Sequence, residues 1–228
     1  MVLLCHFASI AQNHAQSILP LASQDQEPFT LWGAAKMKNI LIALAALVVY
    51  ATSSAAQVDE GLCTIEPSDD LFGMVFTPTN QAPAPASVNT ITIRNAENDP
   101  VANYPVWVEL RQASTVLCGS TVLSGVTNAS GQLVLTLGGG GCAHNTALSA
   151  LVKAGGQTIR TYANVKSPDY DGAGGNLAVT LPDLTQFSGE FGGSIPSACH
   201  DYNNDGSTGL PDLIIFGAPF QSAASCAP

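Results

Sequence analysis

Apolar and polar residues alternate in short stretches along residues 71–166. The clearest alternation lies at 90–94, 106–111 and 133–137, where Val, Leu or Ile occupies every second position. Such alternation is typical of strands that bury one face. Further strands are expected at 71–77, 115–124, 147–153 and 157–165. Turn-forming residues separate these segments at 95–100, 128–131, 138–141 and 155–156. About seven short strands in this arrangement predict a mainly β protein built on an antiparallel β-sandwich.

A second pattern lies near the C-terminus, where an apolar motif is repeated. Leu181–Phe191 recurs 29 residues later as Leu210–Phe220, with six of eleven positions identical. Each copy begins with Pro and Asp, which suit the first turn of a helix. The apolar residues follow a helical spacing: Leu184, Phe187 and Phe191 in one copy, and Leu213, Phe216 and Phe220 in the other. The two short helices are therefore expected to pack on each other, since neither can bury its apolar face alone.

The segment Asp201–Asp212 leads into the second helix with the spacing of an EF-hand calcium loop. Calcium takes about six to eight oxygen ligands, and such a loop supplies them from positions 1, 3, 5, 7, 9 and 12, with Gly at position 6. Gly206 lies at position 6, and Gly209 at position 9 leaves that ligand to a water. The expected ligands are Asp201, Asn203, Asp205, the carbonyl of Ser207, and Asp212.

A less regular acidic segment precedes the first helix. From Asp169 to Asp183 there are 15 residues, three more than in the second loop. Counting back from Asp183 places Asn176 at position 5 and the carbonyl of Ala178 at position 7. A calcium site here would use Asp169, Asp171, Asn176 and Asp183. A glycine-rich linker turn is the alternative interpretation of this segment.

The distribution of charge favours a cation at the C-terminus. The chain has a formal net charge of −10, and nucleic acid is not an expected partner because phosphate binding needs clustered Lys and Arg. After Lys166 there is no Lys or Arg, while seven Asp or Glu residues follow it. Because like charges repel one another in a compact fold, either a cation offsets them or the segment is disordered. A hard divalent cation is the simpler explanation, so calcium is the expected cofactor.

Residues 1–56 are expected to be absent from the mature protein. Met37 and Lys38 precede the apolar run Ile40–Tyr50 and a stretch of small residues that ends at Ala56, as in a secretory signal peptide. Translation is expected to start at Met37, with cleavage after Ala56. The apolar run is too short for a membrane span, which needs about 20 residues, so the protein is expected to be secreted or held at the cell surface. The remaining segments are a leader at 57–70, the sandwich at 71–166 and a calcium-binding module at 167–228.

Five cysteines lie in the predicted mature chain, and export makes them candidates for disulfides. Cys199 and Cys226 bracket the second loop and its helix, so they are expected to pair. Cys118 and Cys142 lie in one β-rich segment and form the second expected pair. Cys63 is left over, and it is free unless the pairing differs.

Two sets of motifs resemble known families. Asp99–Val106, followed by Thr127–Leu133, resembles bacterial Ig-like domains of the invasin type, which implies an Ig-like sandwich. Two calcium loops, each followed by one helix and closed by Asp rather than Glu, resemble a dockerin type I domain over residues 167–226. Dockerins bind cohesin domains and attach secreted or surface proteins to assemblies. The resemblance implies a cohesin-like or cell-surface protein partner, and the expected contacts on the helices are Leu184, Phe187, Leu213 and Phe216.

No catalytic constellation is visible, so the chain is not expected to be an enzyme. His144 and His200 are the only histidines after residue 56, no Ser-His-Asp order is present, and His200 is expected to be a solvated loop residue. The first hypothesis is a secreted calcium-binding protein that its C-terminal module attaches to a partner. The second is a structural or adhesive surface protein in which calcium only rigidifies that module. The third is a carbohydrate-binding accessory protein of a polysaccharide-degrading system.

Overall fold

The fold is described for residues 57–79 and 84–226 of a computed structural model. The predicted start site and signal peptide lie outside the described residues. Within those ranges the strands are β1 (Thr64–Glu66), β2 (Met74–Val75), β3 (Val88–Thr92), β4 (Pro105–Leu110), β5 (Thr115–Leu117), β6 (Ser124–Val126), β7 (Gln132–Thr136), β8 (Gly139–Ala143), β9 (Ala150–Ala154), β10 (Gln157–Tyr162) and β11 (Val165–Lys166). Two α-helices follow, α1 (Leu181–Phe191) and α2 (Leu210–Gln221), and a short 3-10 helix, Pro85–Ser87, precedes β3.

The strands form three small sheets, ordered β1-β3-β7, β10-β9-β4-β6 and β2-β11-β8-β5. Neighbouring strands are antiparallel except β11 and β2, which are parallel. The prediction of a mainly β fold followed by a small helical module is confirmed. No helix among the described residues has both the length and the apolar character that crossing a membrane requires.

The alternating segments supply the main core, as the sequence predicts. The buried residues of these segments are Ile91, Ile93, Val106, Val108, Leu135 and Leu137. They belong to one apolar cluster that draws on all three sheets. Burying alternate side chains is what commits each strand to one face of the sandwich.

Residues 139–141 belong to a buried strand, so the prediction of a turn over 138–141 is wrong. Every residue of β8 is buried. The glycines allow other backbone segments to approach this strand closely. A Cβ atom on Gly140 would lie 1.8 Å from Oδ2 of Asp169, and one on Gly141 would lie 2.1 Å from the carbonyl oxygen of Ser114.

The helices form where the repeat predicts them, and they pack on each other. The rings of Phe187 in α1 and Phe216 in α2 stack with their centroids 4.6 Å apart. Both belong to a second apolar cluster that also contains Tyr202 from the connecting loop and Val75 from β2. The helix pair therefore packs against the β-sheets, and all described residues fall in one compact unit. The domain boundaries at residues 70 and 166 stay predictions.

The disulfides join the helical region to the sheets, so the predicted pairing is wrong although the four cysteines are the predicted ones. Cys118 pairs with Cys226, and Cys142 pairs with Cys199. The reason lies in β8, where Cys142 is opposite Lys166 of β11. Lys166 in turn contacts the second acidic loop, two residues beyond Cys199. Cys63 is free and buried.

Candidate functional site

The two acidic segments end in the same way at the helix N-termini. We define loop 1 as residues 169–183 and loop 2 as residues 201–212. In loop 2 the backbone N–H of Gly209 donates to Oδ2 of Asp212 over 2.8 Å. In loop 1 the N–H of Thr180 donates to Oδ2 of Asp183 over 2.7 Å. Each closing Asp therefore satisfies the backbone N–H of the residue that caps its own helix. The two closing Asp residues are 29 residues apart, which is the period of the repeat.

The loops also begin in equivalent ways. The carboxylate of Asp201 accepts hydrogen bonds from the N–H groups of Asp205 and Gly206, both over 3.1 Å. The carboxylate of Asp169 accepts from Asn176 over 3.0 Å and from Leu177 over 2.7 Å. Counted back from the helices, these donors occupy corresponding positions, so the three extra residues of loop 1 lie between Asp169 and Asn176.

Position 6 of each loop has a left-handed backbone. Gly206 has φ of 93° and Leu177 has φ of 67°. A non-glycine residue with positive φ is uncommon, so loop 1 makes the same left-handed turn as loop 2 without a glycine. This explains why loop 1 is hard to recognise from its residues.

The polar side chains in the middle of both loops lie near the surface and accept hydrogen bonds from neighbouring residues of their own loop. Asp205 accepts from the N–H and hydroxyl of Ser207 over 2.9 and 2.8 Å, and from the amide of Asn203 over 2.9 Å. These hydrogen bonds lower the pKa of Asp205. In loop 1, Asp171 accepts from the N–H of Ala173 over 2.9 Å, and Asn176 accepts from that of Ala178 over 3.1 Å.

The oxygen atoms that the two loops offer to a metal belong to carboxylate, amide, hydroxyl and carbonyl groups, and such oxygens are the ligands that calcium prefers. Within 57–79 and 84–226, no three Asp, Glu, His or Cys side chains converge into a group that could hold a metal. The calcium ligands named from the sequence thus stay predictions. The structure supplies the loop backbone and the buried first and last carboxylates of each loop.

The closing carboxylates differ in one respect. Oδ1 of Asp212 accepts the N–H of Tyr202 over 2.6 Å. Oδ1 of Asp183 is buried and has no hydrogen-bond partner among the described residues. Asp183 and Asp169 are both fully buried. Burial, helped by the charges of Asp183 and Asp171, raises the pKa of Asp169 to about 6 against two backbone hydrogen bonds. A buried carboxylate oxygen without a hydrogen-bond partner is costly, so Oδ1 of Asp183 is a position where a cation would be favourable.

Loop 2 already has a positive group in contact with it. The side chain of Lys166 is buried, and its ammonium group donates to the carbonyl oxygen of Asp201 and lies 4.0 Å from Oδ2 of the same residue. Burial lowers the pKa of Lys166, while the charges of Asp201, Asp212 and Glu190 oppose that shift. The sequence shows Lys166 only as the last basic residue before the acidic segment, and nothing in its local pattern indicates this contact.

His200 is fully buried, so the prediction of a solvated loop residue is wrong. Its Nδ1 lies 2.9 Å from Oε1 of Glu190, which is also buried. Oε2 of Glu190 accepts from the N–H groups of Ala198 and His200 over 2.9 and 3.1 Å. Burial alone would raise the pKa of Glu190, but these hydrogen bonds and the His200 ring lower it to about 2. The pair connects the end of α1 to the start of loop 2.

Two of the four predicted partner contacts are interior residues. Phe187 and Phe216 are 2 % and 1 % exposed and form the helix interface, so they cannot contact a partner, and Leu184 is partly buried. Leu213 is 40 % exposed. The buried faces run through Asp183, Phe187 and Glu190 in α1 and through Asp212, Phe216 and Pro219 in α2. Because each closing Asp is buried at its helix N-terminus, each helix is rotated away from the stripe that apolar spacing alone predicts.

Comparisons with known proteins give little support to any family. No family model matches the chain, and no curated protein matches it. One solved structure, that of Yersinia pseudotuberculosis adhesin InvE, is similar at 21 % identity over 50 % of this chain and 29 % of that one, with a TM-score of 0.28. A similarity at that level supports no conclusion about fold or function. The resemblances to invasin-type and dockerin domains therefore rest on the quoted sequence motifs alone.

Proposed function

We propose that this chain is a secreted, non-catalytic surface protein in which calcium binds in the acidic C-terminal segment and rigidifies the helix pair against the β-sheets. The observation that carries the proposal is the buried Oδ1 of Asp183, which lacks a hydrogen-bond partner beside the buried carboxylate of Asp169. A hard divalent cation would satisfy both groups at once.

The attachment of the helices to the sheets supports a structural role for the metal. The segment after α2 pairs with loop 1, since the N–H of Val179 donates to the carbonyl of Ala224 over 2.8 Å and that of Cys226 donates to Leu177 over 2.9 Å. Cys226 is in turn bonded to Cys118 at the end of β5. A cation that closes loop 1 would therefore stabilise the last residues of the described chain as well as α1.

Calcium titration of the full chain, secreted in oxidised form, tests the proposal. Asp183→Asn keeps an oxygen for the helix cap but removes the charge, and Asp99→Asn removes an exposed charge elsewhere. We expect excess calcium at about 100 times its Kd to stabilise the wild-type chain and Asp99→Asn by about 2.7 kcal/mol, which corresponds to a rise in Tm of about 5–10 °C. Asp183→Asn should show little rise. The proposal fails if calorimetry detects no calcium binding and EDTA leaves the wild-type Tm unchanged.

Attachment to a partner protein is a second candidate function, favoured by exposed apolar side chains on the helices. Leu181, Leu210 and Ile214 are 70 %, 68 % and 77 % exposed. We expect the double variant Leu210→Glu, Ile214→Glu to fold normally and to move from the cell surface to the medium. Unchanged distribution between the two fractions would argue against this candidate.

A further inference from the structure

The acidic interior of loop 2 contains a cation that belongs to the protein. Lys166 ends β11, and its side chain is 1 % exposed. The ammonium group binds the carbonyl of Asp201, whose own side chain is only 4 % exposed. Burying an ammonium group is costly unless opposite charges surround it. Here the nearby acidic residues are Asp201, Asp212, Glu190 and Asp205.

We propose that the ammonium group of Lys166 is the built-in cation of loop 2, so that calcium binds with high affinity at loop 1 alone. This inference rests on the proposed function, because it assigns the calcium to one of the two loops. It reverses the order suggested by the residues, in which loop 2 has the more regular EF-hand spacing.

Loop 1 has no equivalent of Lys166. The ion pairs among the described residues join Arg111 and Lys153 to Glu109, Arg160 to Asp69, Lys166 to Asp201 and His200 to Glu190. None of them includes a carboxylate of loop 1. Two buried carboxylates, those of Asp169 and Asp183, are therefore without a basic partner in the part of the chain that the structure describes.

The hydrogen bonding of the two closing carboxylates supports the same assignment. Asp212 is satisfied at both oxygens, by Gly209 and by Tyr202, whereas Asp183 is satisfied only at Oδ2. The residue equivalent to Tyr202 by its place after the first Asp is Tyr170, and the three extra residues of loop 1 change that geometry. Loop 2 is thus closed by protein groups, and loop 1 has an oxygen left for a ligand.

A metal in loop 2 would have to share its carboxylates with an ammonium group about 4 Å from Oδ2 of Asp201. A metal held by that carboxylate would lie close to the ammonium group, and two like charges a few ångströms apart repel strongly when water is excluded. Lys166 has little freedom to withdraw, because its side chain is 1 % exposed and its strand is paired on both sides. We therefore expect the affinity of loop 2 for calcium to be lower than that of loop 1 by about 100-fold or more.

The test is calcium calorimetry on the full chain and four variants. Asp183→Asn removes a charge from loop 1, and Asp205→Asn removes one from loop 2. Lys166→Met removes the built-in cation, and Lys153→Met is the matched control, since Lys153 is bound to Glu109 on the sheet. We expect one calcium per chain in the wild type, in Asp205→Asn and in Lys153→Met. We expect none in Asp183→Asn and two in Lys166→Met.

The outcomes separate this inference from the proposed function. No calcium binding in the wild type refutes both. Two sites of similar affinity in the wild type, or one site that Asp205→Asn abolishes and Asp183→Asn leaves intact, overturns the assignment to loop 1 and keeps the calcium function. A Lys166→Met chain that folds, as judged by circular dichroism, and still binds one calcium also overturns it. If Lys166→Met does not fold, the Asp183 and Asp205 variants decide.

Discussion

The Cys142–Cys199 disulfide gives a sharp test of how the C-terminal loops are held. It joins β8 to the residue that lies two positions before loop 2, across 57 residues of chain. Replacing both cysteines with Ala removes the cross-link without adding a polar group. The Cys118–Cys226 disulfide, which spans 108 residues, stays intact and encloses the same segment.

The size of the effect follows from the loop lengths. Closing a loop of this length stabilises a fold by about 4 kcal/mol in the chain-entropy model, and by about 3.5 kcal/mol when a larger loop is already closed around it. In a domain of this size, losing about 3.5 kcal/mol of unfolding free energy lowers Tm by about 10 °C. Loop 2 itself should lose order first, because the disulfide and Lys166 are both among its contacts with the β2-β11-β8-β5 sheet.

Urea unfolding and calorimetry on the oxidised chain measure the loss. Cys63→Ala is the control, since Cys63 is buried and free, and it should cost about 1 kcal/mol. Non-reducing peptide mapping should recover Cys118 with Cys226 and Cys142 with Cys199 in the wild type. A peptide that links Cys118 to Cys142 would refute the connectivity. A double variant no less stable than Cys63→Ala would refute the entropic reasoning.

Three further variants probe the loops and the helix interface. Despite its burial, hydrogen bonds lower the pKa of Glu190 from 4.5 to about 2, so its contribution is present above about pH 4.5 and is lost as the pH falls toward 2. Glu190→Gln should therefore remove about 3 kcal/mol of stability at neutral pH, and urea midpoints near pH 7 and pH 3 should differ less in the variant than in the wild type. Gly140→Ala forces a Cβ against the Asp169 carboxylate, so it should destabilise the chain and weaken calcium binding. The control Gly217→Ala places a Cβ in α2 where no atom lies within 4 Å, and it should stabilise the chain by about 0.5–1 kcal/mol. Equal changes in Tm for the two variants would contradict the close packing at Gly140. Phe216→Ala should cost about 3–5 kcal/mol, and the exposed Leu213→Ala should cost under about 1 kcal/mol, so similar unfolding energies would place Phe216 outside the interface.

Local periodicity carries most of what the sequence can predict about this fold. The alternation at 90–94, 106–111 and 133–137 predicts buried strands because side chains on a strand point alternately to its two faces, and all three segments contribute to the core. The 29-residue repeat predicts both helices and their mutual packing. The pattern does not predict strand β8, because its glycines suggest a turn. In the structure those glycines instead allow loop 1 to pack closely against the strand.

The candidate site is less predictable because its chemistry depends on contacts between distant residues. Asp169, Asp183, Asp201 and Asp212 are visible from loop spacing, and each is buried at the expected end of its loop. The partner of each carboxylate is not visible. Lys166 reaches Asp201 across 35 residues, and no local pattern of charge indicates which acidic residues a buried lysine will meet.

The sequence by itself determines the strand-rich body, the two helices, the acidic loops and the set of cysteines available for disulfides, since all of these depend on neighbouring residues. Only the tertiary structure decides how the cysteines pair, which helix faces are buried and which loop has a protein cation. The pairing and the protein cation depend on β8 and β11 lying side by side, which brings Cys142 to Cys199 and Lys166 to Asp201. The buried helix faces depend on the contact between α1 and α2. The more regular loop is therefore the one that the protein itself closes, and the loop with an unpartnered buried oxygen is the irregular one.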